Sequence, residues 1–420
     1  MSARTSCILR PAAVLDAGRG ECLPGRAVLV QGGRIEAVEP AEALPVGGPE
    51  APPGIELAGH VLLPGLINTH VHLSFSAGDD PLRDYLAEDS AQHVARAVEH
   101  ARQLLLSGVT TVRDCGSGWA LLSVAALADR GAILAPRLVL CGPPITPTAG
   151  HLHFMHGEAD GVEAVRLAVR RRHKRGATSI KAMASGGQMT PGSVPDRPCY
   201  SQEELDAIAA EAERLSLPTV VHVLATESIP RAARAGFQSL EHCAFFQRTA
   251  QGWMERVYAA EVAEEVRRHG CAVMAGLSAA WHLRESYRTS DQRTPHQEFL
   301  LAMERRSEEI FARFSALGIP MVVGTDAGVL RTPFDETWLE LALMARAGLS
   351  PADTLRGATL HAARVLGLAD RVGAIAPGLE ADLIAVPGNP LERIEVMQRV
   401  PWVMKAGRVV KDERGAQISG

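Results

Sequence analysis

Between about residues 91 and 326 the chain repeats one pattern: a helical stretch, a glycine, then a short run rich in valine, isoleucine and threonine. Helical patterns close at Gly108, Gly131, Gly176, Gly236, Gly270 and Gly318, where glycine accepts the left-handed conformation past a helix end at little cost. Strand-like runs follow at 109–114, 137–141, 179–183, 239–242, 271–274 and 320–326, and another at 219–222 follows the helical segment 202–216. With the run that begins at Val61, this makes eight strands. Strands that alternate with helices form parallel sheets, because a parallel connection needs a crossover long enough to hold a helix. Eight such units over roughly 300 residues fit a (β/α)8 TIM barrel of ~250 residues with insertions.

The two ends read differently. Residues 7–62 and 382–410 hold short apolar runs, such as 27–30, 34–38 and 382–386, separated by Gly and Pro turns, the pattern of short strands. We expect one small β-sandwich domain from residues 1–60 and 369–420, beside a barrel spanning 61–368.

A chain of 420 residues that is 46% hydrophobic can bury a large core, as a globular enzyme-sized domain requires. Its net charge of −5 is small for this length and acidic in sign, which argues against a nucleic-acid partner. Residues 1–10 lack the long apolar segment of a secretory leader, and no later run is long enough to span a bilayer, so a cytoplasmic location without a membrane partner is expected. The seven cysteines are scattered without C-x-x-C spacing, which speaks against a disulfide framework or a thiolate metal site.

Chemistry collects at the strand ends. The first apolar run, Leu63-Pro64-Gly65-Leu66-Ile67-Asn68-Thr69-His70-Val71-His72-Leu73, finishes on two histidines one residue apart, and in a strand residues i and i+2 face the same side. Lys181 lies in the fourth strand, His222 ends the fifth, His242 the sixth and Asp326 the eighth. Barrel enzymes build their sites at these C-terminal ends. Singly, each has an ordinary alternative: Lys181 a stem reaching solvent, His222 and His242 satisfied core histidines, Asp326 a turn cap. In register on one face, they favour a metal site. Neutral imidazoles and carboxylates suit zinc and similar ions. A lysine ammonium cannot ligate until it is modified or deprotonated.

On these residues the chain resembles the amidohydrolase superfamily, in its metal-dependent prolidase-like and carboxypeptidase-like branch. The resemblance covers nearly the whole length. It includes Leu63-Pro64-Gly65-Leu66 before His70-Val71-His72, Gly108-Val109-Thr110-Thr111-Val112-Arg113-Asp114, Gly324-Thr325-Asp326-Ala327-Gly328, and the stretch from Gly373 to Leu383. It implies two divalent ions, zinc foremost, and a Lys181 carboxylated by carbon dioxide into a bridging carbamate. It further implies that His70, His72 and Asp326 hold the more buried ion and His222 and His242 the other. A hydroxide shared by the ions is then the nucleophile, and Asp326 relays its proton to the leaving group. His151, in the loop 148–154 after the third strand, would polarise the substrate carbonyl or steady its oxyanion, with His153 a second candidate. A homo-oligomer follows from family habit alone.

Substrate is read from departures. Prolidase-like members often carry Tyr or another polar residue two places beyond the fifth-strand histidine to meet a substrate carboxylate. Here Leu224 stands there and cannot bind one, so an arginine or backbone donor from another loop would have to substitute. Met155, Met189, Phe245, Phe246, Trp281 and Leu330 belong to loops over the site and read either as packing or as an apolar pocket. His153, Leu224 and Trp281 are the substrate-binding candidates. The expected small-molecule substrate is a bulky apolar N-acyl amino acid or dipeptide-like amide, an aryl amide, a urea or a carbamate. Two other readings compete. Deaminases of aminated heterocycles in this superfamily often have a glutamate three places after the fifth-strand histidine and no fourth-strand lysine, whereas this chain has Ala225 and Lys181. A non-catalytic scaffold relative would have lost ligands, yet all six positions are filled. His361 reads as structural, and the acidic run 261–265 as a solvated face.

Overall fold

The computed structural model describes residues 6–44 and 51–414. Residues 1–5, the start of the stretch read for a leader, and residues 45–50 and 415–420 of the two β segments lie outside the described residues.

The middle of the chain is a mixed α/β structure in which the eight expected strands appear. Leu66–Val71, Val109–Asp114 and Arg137–Leu140 form one parallel sheet. Ile180–Met183, Thr219–His222, Ser239–Glu241, Ala272–Met274 and Met321–Val322 form a second, also parallel, in chain order. The outer edges of the two sheets meet. On one side Val71 bridges Ala327 in parallel, and the His72 N–H donates to the Ala327 carbonyl at 2.8 Å. On the other, Ile145 bridges Ala182, its N–H donating to the Lys181 carbonyl at 2.8 Å.

Local sequence explains the helices that cover these strands. Ser90–Leu106 begins on a capping box in which Asp89 and Gln92 bond each other's backbone N–H, and it buries Ala97, Ala101, Leu104 and Leu105. Ser201 and Glu204 do the same for Gln202–Arg214, as do Thr294 and Gln297 for Pro295–Ala316, so each helix starts with its first N–H groups satisfied. The helical pattern that closes at Gly131 is a 3-10 turn, Trp119–Ser123, followed by the short helix Val124–Asp129. Sequence periodicity did not show the helices Pro81–Ala87 and Trp281–Arg288 or the hairpin of Phe246–Arg248 with Met254–Arg256. Each is too short to display a period.

Strands from both ends of the chain share one sheet, in the order Arg408–Asp412, Trp402–Lys405, Leu383–Pro387, Gly54–Pro64, Ser6–Asp16, Arg26–Gln31, Arg34–Pro40, with Glu21–Pro24 on Ser6–Asp16. Its core holds Leu9, Val28, Val30, Leu62, Leu383 and Trp402. Residues 61–64 pair here, with Val386 to Leu383, so the first strand of the central unit begins after Gly65. Asp382 ties the parts together: its carbonyl accepts from the Gly65 N–H at 2.8 Å, and its carboxylate meets Arg137 at 3.0 Å and Lys405 at 2.9 Å.

Candidate active site

The first strand delivers His70 and His72, 1% and 5% exposed, to one point. There His72 Nε2 lies 3.1 Å and His70 Nε2 3.4 Å from Asp326 Oδ1, and the two imidazole nitrogens are 3.4 Å apart. Three ligand atoms on a zinc ion at ~2.0 Å with tetrahedral angles would stand about 3.3 Å from one another. The triangle therefore has the size of a metal's coordination shell. Asp326 reaches it from a left-handed backbone, φ 59°, as does His242 at φ 73°, conformations a non-glycine residue holds only when its surroundings impose them.

Around this triangle the other sequence candidates converge. The His242 ring lies 5.2 Å from that of His70 and 4.9 Å from that of His222, and the His151 ring 4.8 Å from His222. Lys181 is 1% exposed, and its Nζ has no hydrogen-bond partner. His222 Nε2 donates to the Gly186 carbonyl at 3.0 Å, which frees Nδ1 as a ligand atom. Burial holds His151 and His242 down to about 3 and His222 well below the usual imidazole range, so all three are neutral near pH 7. For Asp326 burial works upward, but His70, His72 and His242 outweigh it and keep the carboxyl well below its ordinary value.

His70 is oriented from behind by a residue the sequence reading missed. Its Nδ1 donates to Glu241, which is fully buried and also accepts from Ser239 Oγ. The Arg113 guanidinium, equally buried, lies 3.5 Å from Glu241 Oε1 and donates through Nε to the Thr69 carbonyl at 2.8 Å. Burial pushes Glu241 up, yet His70 and Arg113 hold it at about 2. A carboxylate behind a ligating histidine fixes the ring and its tautomer. His72 is fixed in the same way, by Nδ1 against the Gly116 carbonyl at 3.1 Å.

The cluster forms the floor of a cavity of about 520 Å³, a size suited to one small ligand. Leu224, Met189, Phe246 and Leu330 line it as expected, together with Phe299, Met303 and Arg256. Met155 and Phe245 are fully buried in packing clusters instead. Two substrate-binding candidates, Trp281 and His153, lie elsewhere. Trp281 is absent from the cavity wall; its ring lies under Arg288 and Arg346, 4.2 and 4.6 Å from their guanidinium carbons. His153 is also outside the wall, on a 3-10 turn flanked by left-handed Leu152 and His156.

A model of the amidohydrolase family matches residues 61–410. The chain belongs to the amidohydrolase family. Among its relatives, ochratoxinase of Aspergillus niger is 31% identical over 388 residues, 84% of this chain and 76% of that one. The solved structure of that ochratoxinase aligns with a TM-score of 0.80 at 28% identity, covering 97% of this chain and 96% of the other. Imidazolonepropionase of Klebsiella pneumoniae (strain 342) is 26% identical over 433 residues, 93% of each chain. A Xaa-Pro dipeptidase solved with methionine in its active site aligns with a TM-score of 0.84 at 26% identity, over 97% of this chain and all of that one. Amidohydrolases related to this chain are hydrolases of C–N bonds in small molecules, and metal dependence is typical of the family. Among the described residues no helix is long and apolar enough to cross a membrane.

Proposed function

We propose that this amidohydrolase holds two divalent ions, zinc foremost, and cleaves an amide-type C–N bond in a bulky apolar substrate. The scaffold in this reading is a closed (β/α)8 barrel, supported by the two bridges that join its sheets, with a small β-sandwich-like domain from residues 1–60 and 369–420 beside it. His70, His72 and Asp326 would hold one ion and His222 and His242 the other, with carboxylated Lys181 as a further oxygen donor to the pair.

The observation that carries the proposal is Lys181. A buried ammonium with no partner is costly, yet this one is 1% exposed beside the histidines with its Nζ unpaired. Uptake of carbon dioxide by the free amine forms an N–C bond, releases a proton and leaves an anionic carbamate. That exchanges an orphaned cation for an oxygen donor, which the neutral histidines around it lack. Asp326 Oδ1 is likewise buried without a hydrogen-bond partner, as an atom reserved for an ion would be.

Divalent ions held by these donors supply Lewis acidity and bring water's pKa toward ~7. Asp326, kept ionised by the surrounding histidines, is the base that takes the water proton and returns it to the departing nitrogen. Neutral His151 stands with Nδ1 3.0 Å from Thr190 Oγ1, a hydroxyl that already accepts the Leu152 N–H at 2.9 Å. In the tautomer where the hydroxyl proton serves Nδ1, Nε2–H donates to the substrate's carbonyl oxygen as negative charge develops. The wall of Met189, Phe246, Phe299 and Met303 suits an aryl or large alkyl group. The likeness to a Xaa-Pro dipeptidase with methionine bound in its active site supports an N-acyl amino acid or dipeptide-like substrate over an aryl urea.

The test is a hydrolysis panel of N-benzoyl-L-phenylalanine, an anilide, an aryl urea and an aminated pyrimidine. Amine release from an amide, lost on chelation and restored by zinc, is the expected result. Ammonia release from the pyrimidine alone would replace the proposal with deamination. Bound ions without turnover of any compound would point to a scaffold.

A further inference from the structure

We propose that Arg256 is the cavity's carboxylate receptor, so that the substrate is an amide bearing a free carboxylate next to its apolar group. This rests on the amide-hydrolase reading and names its substrate class.

Arg256 sits on the hairpin strand Met254–Arg256, directly opposite Phe246 on Phe246–Arg248. The Phe246 N–H donates to the Leu224 carbonyl at 2.8 Å. The hairpin thus hangs from the residue two places past His222, and Arg256 reaches the cavity beside the leucine that cannot itself bind an anion. Arg256 lines the same cavity as His70, His72, Lys181, His222, His242 and Asp326.

Its charge is uncompensated. Among the described residues no carboxylate forms an ion pair with Arg256, and its Nε is shielded from solvent with no hydrogen-bond partner. Among the described residues its hydrogen-bond acceptor is the Ala244 carbonyl, 3.4 Å from Nη1, and its guanidinium carbon stands 4.6 Å over the Phe246 ring. Other shielded arginines are provided for. Arg284, on the same wall, has Glu304 at 2.9 Å, Arg113 has Glu241, and Arg172 donates to three carbonyls. The acids of the cavity wall are also engaged: Asp79 with Arg331, Glu304 with Arg284 and Arg288, and Asp80 with the Arg83 N–H. Burial, with Arg284 nearby, lowers Arg256 only to about 10, so it stays charged at neutral pH. A guanidinium fork accepts a carboxylate through two parallel N–H donors, and stacking on Phe246 fixes the plane of that fork. An anion is what this arrangement lacks, and the apolar walls beside it suit the side chain of an amino acid.

The experiment compares N-benzoyl-L-phenylalanine with its carboxamide on the full zinc-loaded chain, by calorimetric binding and by kcat/KM. The wild type should favour the acid. In R256Q the acid-to-carboxamide ratio should fall about 10- to 150-fold, the worth of a charge-assisted hydrogen bond, and R256K should keep part of it. Because the ratio is internal to each protein, a partly misfolded variant does not mimic the effect. Equal treatment of acid and amide by the wild type, or an acid preference that survives in R256Q, would overturn the receptor. Arg256-dependent binding of the acid with no cleavage of either compound would keep the receptor and sink amide hydrolysis instead.

Discussion

Glu241→Gln keeps the shape of the side chain behind His70 and removes its charge. The consequence can be worked from the contacts. Arg113 is fully buried; among the described residues Glu241 is its ion-pair partner at 3.5 Å, the Thr69 carbonyl and Ser239 Oγ accept from it as well, and Nη1 has no hydrogen-bond partner. At an effective dielectric near 20 the lost attraction is about 5 kcal/mol, and breaking a buried pair from one side typically costs ~3–5 kcal/mol. We therefore expect urea unfolding of E241Q to show a loss of about 3–5 kcal/mol. The same change leaves one neutral oxygen to serve the His70 Nδ1–H, Ser239 and Arg113, which two carboxylate oxygens share in the wild type, so zinc affinity, measured by chelator competition, should weaken about 10- to 100-fold. Adding Arg113→Met removes the stranded cation and should recover at least half of the stability but none of the affinity. Stability within about 1 kcal/mol of wild type together with unchanged zinc affinity would refute the role given to this pair.

Two further outcomes follow from contacts elsewhere around the site. A Cβ added at Gly187 would stand 2.4 Å from Cε1, Nδ1 and Nε2 of His151, so Gly187→Ala must displace that ring; kcat should fall about 10²- to 10³-fold at unchanged metal content, and a loss under threefold would remove His151 from the chemistry. His100 is held at about 4, mainly by burial, donates Nδ1–H to the Leu73 carbonyl at 2.9 Å and stacks on Phe334 at 3.9 Å. Its folded pKa lies below the unfolded value near 6.5, so the unfolded chain takes the proton first and stability is lost as pH falls from about 6.5 to 4. The loss is about 2 kcal/mol after discounting for partial exposure; His100→Gln should flatten that limb of the unfolding midpoint against pH, and an unchanged limb would contradict the assignment.

How much of this was legible in the sequence depends on period. The strands and their terminal His70, His72, His222, His242 and Asp326 were readable because alternation and the glycine after each helix mark where a strand stops. Glu241 escaped because it neighbours His242, and in a regular strand neighbours face opposite sides. The left-handed turn at His242 breaks that rule and brings both residues to His70. Arg256 escaped for another reason. It reaches the cavity on a hairpin strand of three residues, and the need for an arginine near Leu224 could be stated without its position. His153 and Trp281 were drawn in by proximity to strand ends, and left-handed residues at Leu152 and Ala280 turn the chain there, which no propensity reveals.

The proposed chemistry requires a two-ion centre that depends on Lys181. Its most direct test is metal content per chain for protein purified with bicarbonate and zinc, beside Lys181→Ala. About two ions per wild-type chain, falling to one or fewer in the variant, is the predicted result. One ion or none in the wild type, unchanged by the substitution, would contradict it.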